Sequence, residues 1–257
     1  QIVIGAAGRL GVELDPEVPR IIGEYSIEGR KAVGMLADAY GLALYEQYKH
    51  RPDLTVRIRK DDLLEVIRTS RMTPLMKARE NVQGEIGKIY GLGVSGFVGS
   101  IIEIEAVSFP AEKGKGKIRF NETAGSMAKD SVFNAVSVVR LLTGLDVNDY
   151  DLHVNIIGGG RIDGPSAGVA ITLAIISCLQ QRPIRQDIAV TGEVSIQGKV
   201  KEVGGIFEKI YGAKQAGVKE VFIPVENKEE IPSLLDGIRV RTVATVKELI
   251  DYVFVTH

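Results

Sequence analysis

The sequence predicts an α+β chain in two parts, a small helical segment followed by a larger domain of mixed strands and helices. Three observations carry that prediction. Residues 1 to about 75 place apolar side chains at the three-and-four spacing of amphipathic helices. From Gly84 onward glycine becomes frequent and short alternating apolar runs take over, which is the pattern of strands. Between them the polar stretch 73–84, with Met72-Thr73-Pro74 at its start, continues neither pattern. The expected domains are therefore 1–78 and 79–257.

In the first part, Asp15-Pro16-Glu17 reads as a helix start before Val18, Ile21 and Ile22. Ser26 reads as the N-cap of a long helix whose buried face holds Ala32, Val33, Leu36, Ala39, Tyr40 and Ala43, and Arg51-Pro52 ends it. Val56-Arg57-Ile58 is a short extended piece, and Asp61-Asp62 opens another helix through Leu63, Leu64 and Ile67. In the second part, strands are expected at 86–94, 98–107 and 115–120, then a helix over 125–142 with Met127, Val132, Val136, Val139 and Leu142 inward. A buried strand at 152–157, a glycine-rich turn and a helix over 165–180 follow, closed by Pro183. Next come a strand at 188–191, a hairpin over 194–200 turning near Gln197-Gly198, and a helix ending at Gly217. Strands at 221–224 and 238–243 and a helix at 246–253 complete the chain.

The turn Gly158-Gly159-Gly160-Arg161-Ile162-Asp163-Gly164-Pro165-Ser166-Ala167-Gly168 is the centre of interest. Pro165 suits a first helical turn, where its missing N–H costs nothing. Ser166 then sits among unpaired N–H groups at the positive end of the helix. Those donors can be capped by the serine, cradle an anion, or stabilise an oxyanion formed by its attack. The turn alone leaves all three open.

Composition narrows the field. The 32 basic and 33 acidic residues give a net charge of −1, with no Lys/Arg-rich block, so no nucleic-acid footprint is evident. A single cysteine, Cys178, excludes an internal disulfide and fits a reducing compartment. Its place on an apolar helix reads as core. No apolar run reaches the roughly 20 residues that span a bilayer. The start at Gln1 suggests a piece of something longer. The only histidines, His50, His153 and His257, are too scattered for a metal site or an obvious Ser-His-Asp triad, so no metal is expected. Four Gly-Lys pairs occur, but none carries the glycine five residues earlier that a Walker loop needs.

Lys209 adds the missing element. In the helix containing Ile206, Ile210 and Ala213 it falls on the edge of the apolar face, where a lysine ordinarily snorkels. Buried instead, its amine would lose its proton more readily and could activate a serine as general base.

Asp163-Gly164-Pro165-Ser166-Ala167-Gly168, Thr191-Gly192-Glu193 and Gly204-Gly205 through Lys209 together resemble the proteolytic domain of Lon proteases, with the lysine 43 positions after the serine. The resemblance covers about 84–257 as an ordered set of motifs. It implies a Lon-type α/β protease fold (ribosomal protein S5 domain 2-like), with Ser166 as nucleophile and Lys209 as general base. By the same resemblance Thr191 orients the lysine amine, Asp163 lies beside the dyad, Glu105 is an acidic neighbour and His153 flanks the serine strand. Asn155 departs from the family pattern, where many members have a second histidine. Tyr25 to Val33 resembles the small helical subdomain (lid) of an AAA+ ATPase, which makes residues 1–78 an all-helical lid and Arg30 a sensor of the nucleotide γ-phosphate.

The pattern is most similar to the LonB group of spore-forming bacteria. The resemblance implies a cytoplasmic, ATP-dependent endopeptidase working as a hexameric ring on unfolded or regulatory proteins. ATP and Mg2+ are expected in the full-length protein and no cofactor in this chain. Two rivals are a non-proteolytic scaffold domain like that of RadA-type ATPases, and a small-molecule kinase using the glycine turn for ATP.

Overall fold

The computed structural model describes the chain except residues 27, 49–54, 73, 75, 76, 79–82, 96, 97, 121–125, 158–163, 234, 256 and 257; residues 48 and 126–129 are described as backbone only. The chain divides into two compact units, residues 1–75 and 76–257.

The first unit contains α1 (Ile2–Leu10), β1 (Glu13–Leu14), α2 (Val18–Tyr25), α3 (Gly29–Tyr48), β2 (Arg57–Ile58) and α4 (Lys60–Thr69). The expectation of an all-helical part is corrected on one point: β1 and β2 form a parallel pair, Glu13 opposite Arg57 and Leu14 opposite Ile58. The Asp15 side chain explains it. Rather than capping α2, its carboxylate accepts the Lys60 backbone N–H at 3.1 Å and the Arg57 Nε–H at 2.8 Å. Those bonds, the backbone one first, hold its pKa below the ordinary carboxylate range. Ser26 likewise closes a helix: its hydroxyl donates to the Ile22 carbonyl at 2.7 Å, and it stands as the C-cap of α2. The buried face of α3 is rotated from the expected one. Met35, Leu36, Ala39 and Ala43 are buried while Val33 is 39% exposed. At 100° per residue Met35 and Val33 lie on opposite flanks of Leu36, and the core takes the Met35 flank.

The second unit contains β3 (Glu85–Ile86), β4 (Lys88–Ser95), β5 (Val98–Pro110), β6 (Ile118–Phe120), α5 (Ser126–Thr143), β7 (Tyr150–Ile157), α6 (Gly168–Gln180) and β8 (Pro183–Ile184). Then follow β9 (Ile188–Val190), β10 (Glu193–Val194), β11 (Val200–Lys201), α7 (Ile206–Gln215), β12 (Glu220–Pro224), β13 (Arg239–Val243) and α8 (Val246–Val253). Its centre is a seven-stranded sheet in the order β13-β12-β9-β4-β5-β7-β6. The β4–β5 and β5–β7 pairs are antiparallel and the other four are parallel.

Alternation along the strands builds a core on each face of the sheet. Ile89, Ile104, Leu152, Val190 and Phe222 pack with α5, α6 and α8. Tyr90, Leu92, Ala189, Val221 and Ile223 pack with Ile206, Ile210 and Ala213 of α7. The helix α6 is buried at every residue from Gly168 to Cys178, which its uninterrupted apolar sequence requires. It is the axle of the domain, and Ser166 stands just before it.

Candidate active site

Pro165–Ala167 form a single 3₁₀ turn that runs directly into α6. Ser166 does not serve as a cap: the residue at the α6 N-cap is Ala167, and the helix has no side-chain cap bond among the described residues. Its backbone is instead fastened to the segment after β9. The Ser166 carbonyl accepts the Gly192 N–H at 3.0 Å and the Thr191 hydroxyl at 3.4 Å, while Val169 N–H donates to the Gly192 carbonyl at 3.2 Å. Thr191 is 1% exposed. Its described bond therefore reaches the serine backbone. No bond from Thr191 to Lys209 exists among the described residues. The Ser166 hydroxyl is half-buried and makes no hydrogen bond among the described residues.

Lys209 comes from the other side of the sheet. Gly205, in the left-handed region at φ 72°, starts α7, and Lys209 N–H donates to the Gly205 carbonyl at 2.9 Å in its first turn. The helix is pressed against β5 where two glycines meet. A Cβ on Gly99 would lie 1.8 Å from the Glu208 carbonyl oxygen, and one on Gly212 would lie 2.3 Å from the Gly99 backbone. That contact leaves Lys209 only 3% exposed. Burial lowers its pKa to about 8, with the Glu230 carboxylate pulling weakly the other way. At neutral pH about a tenth of such amines are unprotonated, against a few in ten thousand for an ordinary lysine.

Ser166 and Lys209 line one open cavity of about 370 Å³, together with Val94, Pro165, Glu202, Val203 and Gly204. The serine arrives on the α6 face and the lysine on the α7 face, and both converge near the end of β4 at Val94. The wall 201–203 is clamped by the 3₁₀ segment Val225–Glu230. Asn227, 3% exposed, accepts the Val203 N–H and donates to the Val203 carbonyl, both at 3.0 Å, and also donates to Glu230 at 2.5 Å. The Glu226 carboxylate takes the Glu202 N–H at 3.0 Å and the Lys201 ammonium at 2.5 Å.

The other expected site residues are placed elsewhere or lie beyond description. Glu105 is on β5 opposite Lys88 and Asn155, and does not line the cavity. His153 is exposed on β7, edge-on to Phe109 at 6.0 Å, in a different surface hollow with Lys115, Lys117 and Arg119. Arg30 is exposed in the first turn of α3. Asp163, the glycines 158–160, His50 and His257 lie outside the described residues. Cys178 is core: burial raises its thiol to about 11, so it stays protonated and inert. Among the described residues no three His, Cys, Asp or Glu gather as a metal site. Nor is any helix long and apolar enough to cross a membrane. Sequence reasoning missed Val94, Glu202, Val203 and the Asn227 clamp. Gly204-Gly205 pointed to the loop, but no local pattern links Asn227 to a wall 24 residues earlier.

Residues 57–256 match the family model for the Lon protease (S16) C-terminal proteolytic domain. The chain belongs to the Lon protease family. It is 38% identical to "Lon protease 2" of Bacillus subtilis (strain 168) over 97% of this chain and 46% of that protein. It is 32% identical to "Lon protease 1" of Thermus thermophilus over 91% of this chain and 30% of the relative. With the "Archaeal Lon protease" of Thermococcus kodakarensis the identity is 37%, over 65% of this chain and 27% of the relative. The chain thus spans less than half the length of these curated Lon relatives, and what it carries of them is a peptidase domain.

Proposed function

We propose that this chain is the cutting part of an ATP-dependent serine endopeptidase in which Ser166 and Lys209 form the catalytic dyad. The observation that carries this reading is the shared cavity: a serine at a helix start and a buried lysine with a depressed pKa line the same space. Neutral Lys209 takes the proton from the Ser166 hydroxyl as Oγ attacks the peptide carbonyl. Backbone N–H groups of the Ser166 turn hold the oxyanion. Lys209 returns the proton to the leaving amine, and the acyl-serine is then hydrolysed by a water activated by the same amine. Thr191 and Gly192 fix the serine from behind through the Ser166 carbonyl.

The test is cleavage of unfolded casein and a fluorogenic peptide by the parent chain, Ser166→Ala and Lys209→Ala. Loss of cleavage in both folded variants is the expected result; activity surviving Ser166→Ala overturns the dyad. The RadA-type scaffold reading is not favoured, since such a domain needs neither residue. ATP binding by this chain, abolished by substituting 158–160, would favour the kinase reading.

The finer assignment extends the family resemblance. Residues 1–78 are the lid of an AAA+ ATPase, with the exposed Arg30 facing the γ-phosphate, and the longer protein is a LonB-type hexameric ring in the cytoplasm. That ring feeds unfolded or regulatory proteins to the cavity. ATP and Mg2+ belong to the ring's ATPase core. This chain by itself hydrolyses no ATP, and phosphate release by the purified chain would contradict that.

A further inference from the structure

The dyad cavity has an electrostatic asymmetry that catalysis does not use. Its wall is apolar at Val94, Pro165 and Val203, and among the described residues its lining holds one basic group, Lys209, and one acidic group, Glu202. Glu202 is exposed, and its carboxylate has no partner among the described residues. The nearby Lys201 does not neutralise it by contact, because the Lys201 ammonium is bonded to Glu226. Nor is Glu202 free to swing with its backbone. Its N–H is held by Glu226 and the next residue is held at both N–H and carbonyl by Asn227. A carboxylate is thus presented on a fixed backbone at the rim of an apolar hollow. An aliphatic stem ending in a cation satisfies both features, since the stem covers the valines and proline while the head reaches the carboxylate.

We propose that Glu202 is a specificity-determining residue that makes the cavity prefer substrates presenting a lysine or arginine side chain beside the scissile bond. This deepens the peptidase reading and rests on it. The hollow falls within the usual size of ligand pockets, roughly 300–1,000 Å³. The cation on the substrate and the Glu202 carboxylate form an exposed pair, so the preference is modest and falls with salt.

The test uses the Ser166→Ala chain, which leaves bound peptides intact, and three labelled peptides differing at one position: arginine, norleucine or glutamate. Fluorescence anisotropy should rank arginine above norleucine and norleucine above glutamate. The first should exceed the last by about fivefold at low salt, shrinking toward equality near 0.5 M salt. In the Glu202→Gln background the ranking should collapse, and in Glu202→Lys it should reverse. Equal affinities in the parent background, no binding of any peptide, or an unchanged ranking in Glu202→Gln overturns the proposal. The salt series needs no substitution at Glu202 and so stands even where a variant folds poorly. Cleavage of the same peptides with Ser166 restored separates the two readings. Retained binding preference without cleavage removes the peptidase reading alone, whereas cleavage at equal rates removes the selectivity alone.

Discussion

The two helices that carry the proposed dyad solve the same problem in opposite ways. The helix α6 is apolar and buried all round, so the serine before it is fixed by main-chain hydrogen bonds to a rigid core. The helix α7 is amphipathic, with Phe207 54% exposed while Lys209 is almost fully covered. It is held by apolar packing of Ile206, Ile210 and Ala213 and by bare backbone contact between Gly99 and Gly212. The serine side spends nothing on burying charge, whereas the lysine side holds an amine at a real cost in stability. A nucleophile needs placement; a base of this kind needs desolvation as well.

The sharpest way to break that comparison is Lys209→Met. Activity should fall by about 10⁴-fold or more, while stability at pH 7 should rise by about 3 kcal/mol, since burial of the charged amine is relieved. Ser166→Ala should lose as much activity with no comparable gain in stability. Activity assays paired with thermal unfolding check both; a Lys209→Met protein no more stable than its parent would show that the amine is not desolvated. Next in size is Gly99→Ala. A Cβ there cannot coexist with the Glu208 carbonyl, so a loss of about 3 kcal/mol is expected, accompanied by lower activity.

Linkage gives a third handle. Lys209 has a folded-state pKa of about 8 against an ordinary 10.5, so between those values the unfolded chain holds a proton that the folded chain has lost. Its contribution to stability therefore rises with pH from about 8 to about 10.5, and this rise should be missing from the Lys209→Met unfolding curves. The same pKa predicts kcat/KM climbing through pH 8 on its alkaline-activated limb. The smallest effect belongs to Thr191→Val. Losing a 3.4 Å bond to the Ser166 carbonyl should lower kcat several-fold and change stability by about 1 kcal/mol or less.

These contrasts track what the sequence could tell. Most strands and helices were legible as period-2 and 3.6 patterns, as in β4, β5 and α8. The serine turn was legible because glycine and proline punctuate it. Pairing was not. Nothing local to Ile188–Val190 says that β9 inserts between β4 and β12, nor that Glu13–Leu14 would find Arg57–Ile58. Lys209 could be placed at the edge of an apolar face, but its burial depends on Gly99, more than a hundred residues earlier. Thr191 was expected to address the lysine and is bonded to the serine backbone, a difference that only tertiary geometry could supply. Met35 replacing Val33 in the first core shows the same limit on a smaller scale, since periodicity fixes an arc and packing chooses its edge.

Ser166 and Lys209 reach their shared cavity from opposite faces of the sheet. The tight turn between Ser195 and Lys199, closed by the Ser195 N–H to Lys199 carbonyl bond at 3.0 Å, separates Ser166, the proposed nucleophile, from Lys209, the proposed base, along the chain. A break there would yield two polypeptides, each holding half of the chemistry and neither competent alone. The β9–β12 and β10–β11 pairs would be the seam along which they rejoin. Mixed pieces that regain cleavage, where separate ones have none, would make the protease domain a coincidence detector whose signal is the reassembly of its own sheet.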